Sequence, residues 1–452
     1  MSRANNVRPT TYPAITFTMT PRARSLALRL GPPLLVEIGW WSWALSSSSL
    51  GLFAEPTPYE GFYYYMSLTM VLGSLVAGAT SEGGGAIAFP VMTLALGVPP
   101  HIARDFSFAI QSFGMTCASI TILGLGVAID KSAVLWGTVG GTIGLLLGLE
   151  FVAPHLPPAY AKILFVSLWI AFAVALFRLN VSDWDRCVYP SSEESDAAQK
   201  EARRLGAERE GAYEVDDSKN DVQENEKRRL SAGTHHRALV LSGFGLFGGL
   251  TSSVAGSGLD MATFSVLTLF YRVNEKVATP TSVILMAINA VLGMCFRFAG
   301  IGGQYAEGEQ QAVWNFVAVC IPIVVIGAPI GATISARVSR HVISGFIYFL
   351  DTVQFISAIA IIQPWSKPHP NNIGLSVACV GTLLIGSCFF WLLANAGEAK
   401  QEIANQARRE LVNSPAETGR SSSSSSSSSR STSDRRLSDV FVENGVVVQD
   451  PV

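Results

Sequence analysis

Residues 76–100 read "VAGATSEGGGAIAFPVMTLALGVPP". An apolar run that has the makings of a membrane helix is interrupted by Thr80, Ser81, Glu82 and the three glycines Gly83–Gly85, then resumes through Pro90 for about a dozen residues. Backbone that leaves the helix at membrane depth survives only where it is buried in protein or lines a wet cavity. The interruption therefore marks an interior position. Glycine there lets the chain turn sharply and lets a ligand approach main-chain N–H groups.

Around this stretch the chain is a membrane protein by composition. Of 452 residues, 49% are hydrophobic and only 15% charged, well short of the quarter usual in soluble domains. A net charge of −2 gives no footing for nucleic-acid binding. The six cysteines, Cys117, Cys187, Cys295, Cys320, Cys379 and Cys388, form no CxxC and no His/Cys cluster. A disulfide framework or a metal site is therefore not expected.

Apolar runs long enough to span fall at 62–80, 104–123, 132–153, 160–179, 237–255, 277–299, 311–335, 342–364 and 373–394. A weaker stretch at 34–54, diluted by Glu37 and Ser46 to Ser49, reads as a peripheral helix. Runs 85–97 and 259–271 are too short to cross about 30 Å of hydrocarbon and read as half-helices.

The fold class expected is an all-α integral membrane protein, divided as follows: an N-terminal tail (1–61), a first membrane repeat (62–179), a charged cytoplasmic linker (180–236), a second repeat with a final helix (237–395), and a Ser-rich tail (396–452). The linker includes "SSEESDAAQKEARRLGAEREGAYEVDDSKNDVQENEKRRL", charge-dense and poor in large apolar side chains, so disorder or loose helix is expected there. The tail carries "RSSSSSSSSSR", which cannot form a core.

The two halves are copies. "GATSEGGGAIAFPVMTLALGVPPHIARDFS" (78–107) aligns with "GLTSSVAGSGLDMATFSVLTLFYRVNEKVATPTS" (249–282). Thr80-Ser81 falls on Thr251-Ser252 and, after a four-residue insertion, Gly83 on Gly258, Ala103 on Ala278 and Ser107 on Ser282. Each half runs long, short, long, long, long, with one further segment outside each five. An odd-numbered unit followed directly by its copy must be inverted in the membrane, and inverted repeats with broken helices are a transporter architecture. If 34–54 also spans, the arginine-rich N-terminus, the linker and the C-terminal tail share one side, which the positive-inside rule makes cytoplasmic.

The paired signature resembles that of the sulfite exporter TauE/SafE family: a glycine cluster, a short helix bearing a proline, then an A-x-x-S step. The resemblance covers about 62–394 and implies a multi-pass permease, in the plasma membrane, that carries sulfite, organosulfonates or related sulfur anions outward. The sequence departs from the pattern at Glu82, at Leu259 and Asp260 in "GSGLDM", and at Ser265 where the first copy has Pro90.

Two half-helix N-termini, Gly83–Gly85 and Gly256–Gly258, would offer unsatisfied amides and the positive ends of their dipoles to an anion. Thr80, Ser81, Ser252, Ser253 and Ser257 would add hydroxyl donors, and no fixed cation is expected at such a site. Branched side chains at Gly84 and Gly258 are expected to close it. The competing reading is that these glycines serve close helix packing. Ser107 and Gln111 share a helix face, as do Ser282 and Asn289. They either line the site or make ordinary interhelical hydrogen bonds.

Of the few charges in or beside the spans, Glu82 and Asp260 border the proposed site and are the candidates for proton coupling. For Asp260 a structural hydrogen bond is the alternative. Asp105, after Arg104, reads as a helix cap, Glu150 and Arg297 as interfacial, and Asp351 as a structural partner for Arg297. No HExxH, nucleophile elbow, P-loop or histidine cluster supports catalysis, so no catalytic residue, metal or cofactor is assigned. The function expected is secondary transport of a small sulfur oxyanion across the lipid bilayer, with an anion channel or a non-transporting membrane assembly as alternatives.

Overall fold

In a computed structural model, the structure describes residues 21–46, 63–80, 82–188, 220–306, 308–338, 340–365 and 372–413. The described residues form helices: α1 (Pro21–Ser46), α2 (Tyr63–Ala79), α3 (Gly85–Pro90), α4 (Pro100–Leu125), α5 (Lys131–Leu147), α6 (Pro158–Val188), α7 (Asn220–Ala255), α8 (Leu259–Ser265), α9 (Glu275–Phe298), α10 (Glu309–Ser335), α11 (Arg340–Ile362) and α12 (Asn372–Asn413). Eight of them, α4 to α7 and α9 to α12, contain stretches long and apolar enough to cross a membrane. At 17 residues α2 is shorter, about 25 Å at 1.5 Å per residue, which is the lower limit for a span.

The chain is thus an all-helical integral membrane protein. Helix lets every main-chain group find a partner within its own segment, which hydrocarbon demands. Hydroxyls inside the bundle follow the same rule by bonding back to the preceding turn, as Thr121 does to Cys117 O at 2.9 Å and Thr138 to Val134 O at 2.6 Å. Helix ends are capped from the sequence: Asp130 accepts from Ala133 N at 3.0 Å, and Asn274 from Lys276 N at 2.9 Å. Large apolar side chains such as Leu68, Leu135, Leu384 and Ile385 point outward, while Arg104, Asp105, Gln111 and Asp260 are buried. An apolar outside and a polar inside suit lipid as the solvent.

Both half-helices are present at close to the lengths expected. Helix α3 ends in a π-helical turn, Val91–Ala95, and α8 in another, Val266–Phe270. The two agree down to single bonds. Val98 N donates to Met92 O, and Val273 N to Leu267 O, each at 2.9 Å.

The copies also pack reciprocally. Helix α2 lies along α10, and α7 along α5, with glycine at the contacts. A Cβ on Gly78 would run into the main chain at Ala328 and Ala332, and one on Gly249 into Gly141 and Leu145. Gly331 faces Leu75 O and Gly144 faces Leu246 O in the same sense. These contacts of one seam have their counterparts in the other, one repeat along. Between the seams, aromatic rings fill the core. Phe316 of α10 sits 4.7 Å from Tyr63 and 6.0 Å from Phe106, and Phe172 lies between Phe264 and Phe390.

The polar linker and tail begin later than apolar length suggests. Helix α6 continues to Val188, α7 starts at Asn220, and α12 runs on to Asn413. The remainder of the 180–236 linker and of the Ser-rich tail lies outside the described residues. Helix α1 starts upstream of the 34–54 stretch and is described as far as Ser46. It contains Pro32 and Pro33, and rests on α4 and α10.

Candidate functional site

The first break starts where α2 runs out. Thr80 bonds back to Val76 O through both its N–H (2.8 Å) and its hydroxyl (2.9 Å), and its oxygen accepts from Glu82 N at 3.3 Å. Gly83 then takes φ +70°, a left-handed turn that glycine adopts without strain, before α3 starts. At the second break Gly256 has φ +76° and Gly258 φ +142°. Ser252 Oγ accepts from Leu259 N at 3.1 Å, and Asp260 Oδ1 accepts from Gly258 N and Met261 N, both at 3.0 Å.

The two breaks meet. Ser257 Oγ donates to Glu82 O at 2.9 Å, and Gln111 Nε2 donates to Gly256 O at 2.8 Å as well as to Ser107 O at 3.0 Å. A Cβ on Gly83 would come within 2.7 Å of Gln111 Oε1 and would collide with Asp260. One on Gly85 would meet Ser257 Cβ at 2.8 Å, and one on Gly256 would meet Ser107 Cβ at 2.6 Å. Glu82, Gly83, Gly85, Ser107, Gln111, Gly256, Ser257 and Asp260 thus form one buried crossing.

Other candidates stand apart from it. Gly84 is helical (φ −67°) and turned to Ala77 and Met70, with ordinary room for a Cβ at 3.5 Å, so a side chain there closes nothing. Ser253 Oγ bonds Leu250 O and abuts Gly148 of α5. Ser282 Oγ bonds Thr279 O at 2.8 Å, the ordinary intrahelical alternative. Asn289 reaches only Met286 Sδ at 4.0 Å, and its Oδ1 is buried without a partner. Thr80, Ser252 and Gly258 shape the breaks as caps and turn. Ser81 lies outside the described residues.

The second half-helix differs from the expectation of two open anion-binding termini. Its first amides are already held by Ser252 and by the carboxylate of Asp260, the structural role weighed for that residue. The first break instead carries Glu82, fully buried, with neither carboxyl oxygen hydrogen-bonded.

The charged residues sort differently from their sequence reading. Asp105 is no cap, because α4 starts five residues before it. Its Oδ1 accepts from Arg104 Nε at 2.7 Å, and its Oδ2 from Arg297 Nε at 2.8 Å and Tyr305 OH at 2.7 Å. Arg297 is buried rather than interfacial, and also donates to Ile301 O and Gly303 O. Burial, with the Asp105 carboxylate alongside, pushes the Tyr305 phenol up to about 12, so it remains a donor. Asp105, Arg297 and Tyr305 line a cleft of about 280 Å³ with Trp314 and Phe298.

Arg104 joins this cluster to the crossing. Its Nη1 reaches Ser253 O at 3.4 Å, its own carbonyl faces Gly256, and its Nη2 is buried without a partner. A fixed cation therefore does stand beside the breaks, where none was expected. Its signal in the sequence was an Arg-Asp pair directly after a half-helix. Asp351, freed from the expected pairing with Arg297, lies with its carboxyl against that of Glu82, and no donor reaches either carboxyl among the described residues.

Residues 66–358 match the family described as Sulfite exporter TauE/SafE. The chain belongs to the TauE/SafE family. The matched region runs from α2 into α11 and so takes in both breaks, the Asp105 cluster and Asp351. No curated protein and no solved structure matches the chain. As a TauE/SafE protein it is a multi-pass membrane transporter of the sulfur-anion class.

Proposed function

We propose that this transporter exports a small sulfur oxyanion, sulfite or an organosulfonate, across the plasma membrane by alternating access at the helix crossing. The observation that carries this reading is the meeting of the two breaks through Ser257–Glu82 and Gln111–Gly256. The anion is drawn to the first half-helix by its N-terminal end, the hydroxyl of Ser257, the amide of Gln111 and the guanidinium of Arg104. The cleft at Asp105 and Arg297 is its approach from one side. Reciprocal seams support an inverted relation between the repeats, with the N-terminus, linker and C-terminus all cytoplasmic.

A carrier is favoured over an anion channel by how tightly the crossing is closed. The space behind it, between Gly84, Gln111 and Val324, amounts to about 10 Å³, too little for one oxyanion. Substrate must therefore open the crossing, which gives saturable flux. The test is uptake by purified protein in proteoliposomes, with sulfite, sulfate and alkanesulfonates compared at imposed proton gradients. Saturable sulfite or sulfonate flux without unitary currents is expected. Large currents, or no flux of any of these anions, would refute the proposal.

A further inference from the structure

Most of the charge buried in this bundle is balanced. Asp105 is held by two guanidiniums and a phenol, and the half-buried Lys162 donates to Thr93 O at 2.5 Å. Glu82 and Asp351 are the exception. Both are at most 1% exposed, their carboxyls lie against each other, and among the described residues no donor reaches any of the four oxygens. Among the described residues no salt bridge reaches either of them. Among the described residues Asp260, on α8, is the other titratable group facing Glu82, and none besides Glu82 faces Asp351. Gln354, one turn beyond Asp351 on the same helix, adds two buried amide atoms without partners.

Two carboxylates without a cation cannot both be ionised at such close range in a medium of low dielectric. A proton placed between them removes one charge and gives the other oxygen a donor. Asp260 is not equivalent, since main-chain amides of α8 already satisfy it. We propose that Glu82 and Asp351 together form a one-proton site, with Glu82 on the break of the first repeat and Asp351 on α11 of the second. The site deepens the transport reading above and rests on it for its purpose. Taking up the proton draws the first break toward α11, and losing it drives the two carboxylates apart, so that the proton state and the opening of the crossing move together.

Infrared spectroscopy of the purified full-length chain in lipid tests the pair without any substrate. The wild-type protein should show a protonated-carboxyl C=O component at neutral pH that Glu82→Gln/Asp351→Asn together abolish. In Asp351→Asn alone, the upper of the pair's two carboxyl titration midpoints should fall by about one pH unit or more, because the last proton is no longer shared with a second charge. Glu82→Gln should do the same, which gives a second arm if one variant folds poorly. An unshifted midpoint in a folded single variant, or a component that survives the double change, would overturn the proposal. In proteoliposomes, Asp351→Asn should lose accumulation of sulfite driven by a pH gradient. Sulfite flux that ignores pH while the infrared shift is present would keep the shared proton and overturn its link to the opening of the crossing.

Discussion

Asp105 and Glu82 are both carboxylates buried in the same helical bundle, each close to a broken helix, and they are treated in opposite ways. Asp105 has both oxygens bonded, by Arg104, Arg297 and Tyr305. Glu82 has neither oxygen bonded and faces a second acid. In a protein interior a charge that is fully partnered is part of the framework, and removing one partner leaves the others stranded. A charge left without partners costs stability, and it persists where its ionisation is used. The contrast separates scaffold from working part within one membrane interior.

The largest effect should come from the partnered side. Asp105→Ala strands two buried guanidiniums, and a loss of about 3–5 kcal/mol is expected. It should appear as a collapse of folded protein in size-exclusion profiles and of the apparent melting temperature in detergent. A wild-type melting temperature would dissolve the contrast.

Next comes the turn beside Glu82. Gly83→Ala imposes a left-handed conformation on a residue with a Cβ, at about 1–2 kcal/mol, and adds a clash with Asp260 and Gln111. Folded yield should drop and transport should fall with it. Gly84→Ala, one residue on, meets nothing closer than 3.5 Å and should keep wild-type yield. Equal losses in the two variants would show that the glycine run matters as a whole and not through its one left-handed residue.

The smallest effect on stability should come from the unpartnered side. Glu82→Gln and Asp351→Asn remove no salt bridge and should shift stability by about 1 kcal/mol or less in either direction. Thermal unfolding of both beside Asp105→Ala checks this. A loss as large as that of Asp105→Ala would mean the pair is framework after all.

Much of this arrangement was legible in the sequence. The half-helices at 85–97 and 259–271 appear as Gly85–Ala95 and Leu259–Phe270, because glycine clusters and apolar length are local signals. The meeting of Gly83 with Ser257 followed from the repeat. Which buried charge would pair with which did not follow, because partner choice depends on how α4, α9 and α11 are placed, and nothing periodic along the chain records that. Arg297 therefore found Asp105 and not Asp351. Helix ends in polar sequence were also missed. Apolar length marks where lipid stops, whereas α6, α7 and α12 carry their hydrogen-bond ladders beyond it.

The paired seams, α2 on α10 and α5 on α7, have a consequence for how this protein can vary. At Gly78, Gly331, Gly144 and Gly249 main chain rests on main chain, with no side chain between to repack. A single added methyl has nowhere to go, so tolerance to substitution should fall to almost nothing along these two lines. They carry no charge, and Gly78 and Gly249 bring them up to the two breaks. A saturation scan would find them as sharply as it finds the site itself, and would trace the boundary between the two repeats from growth alone.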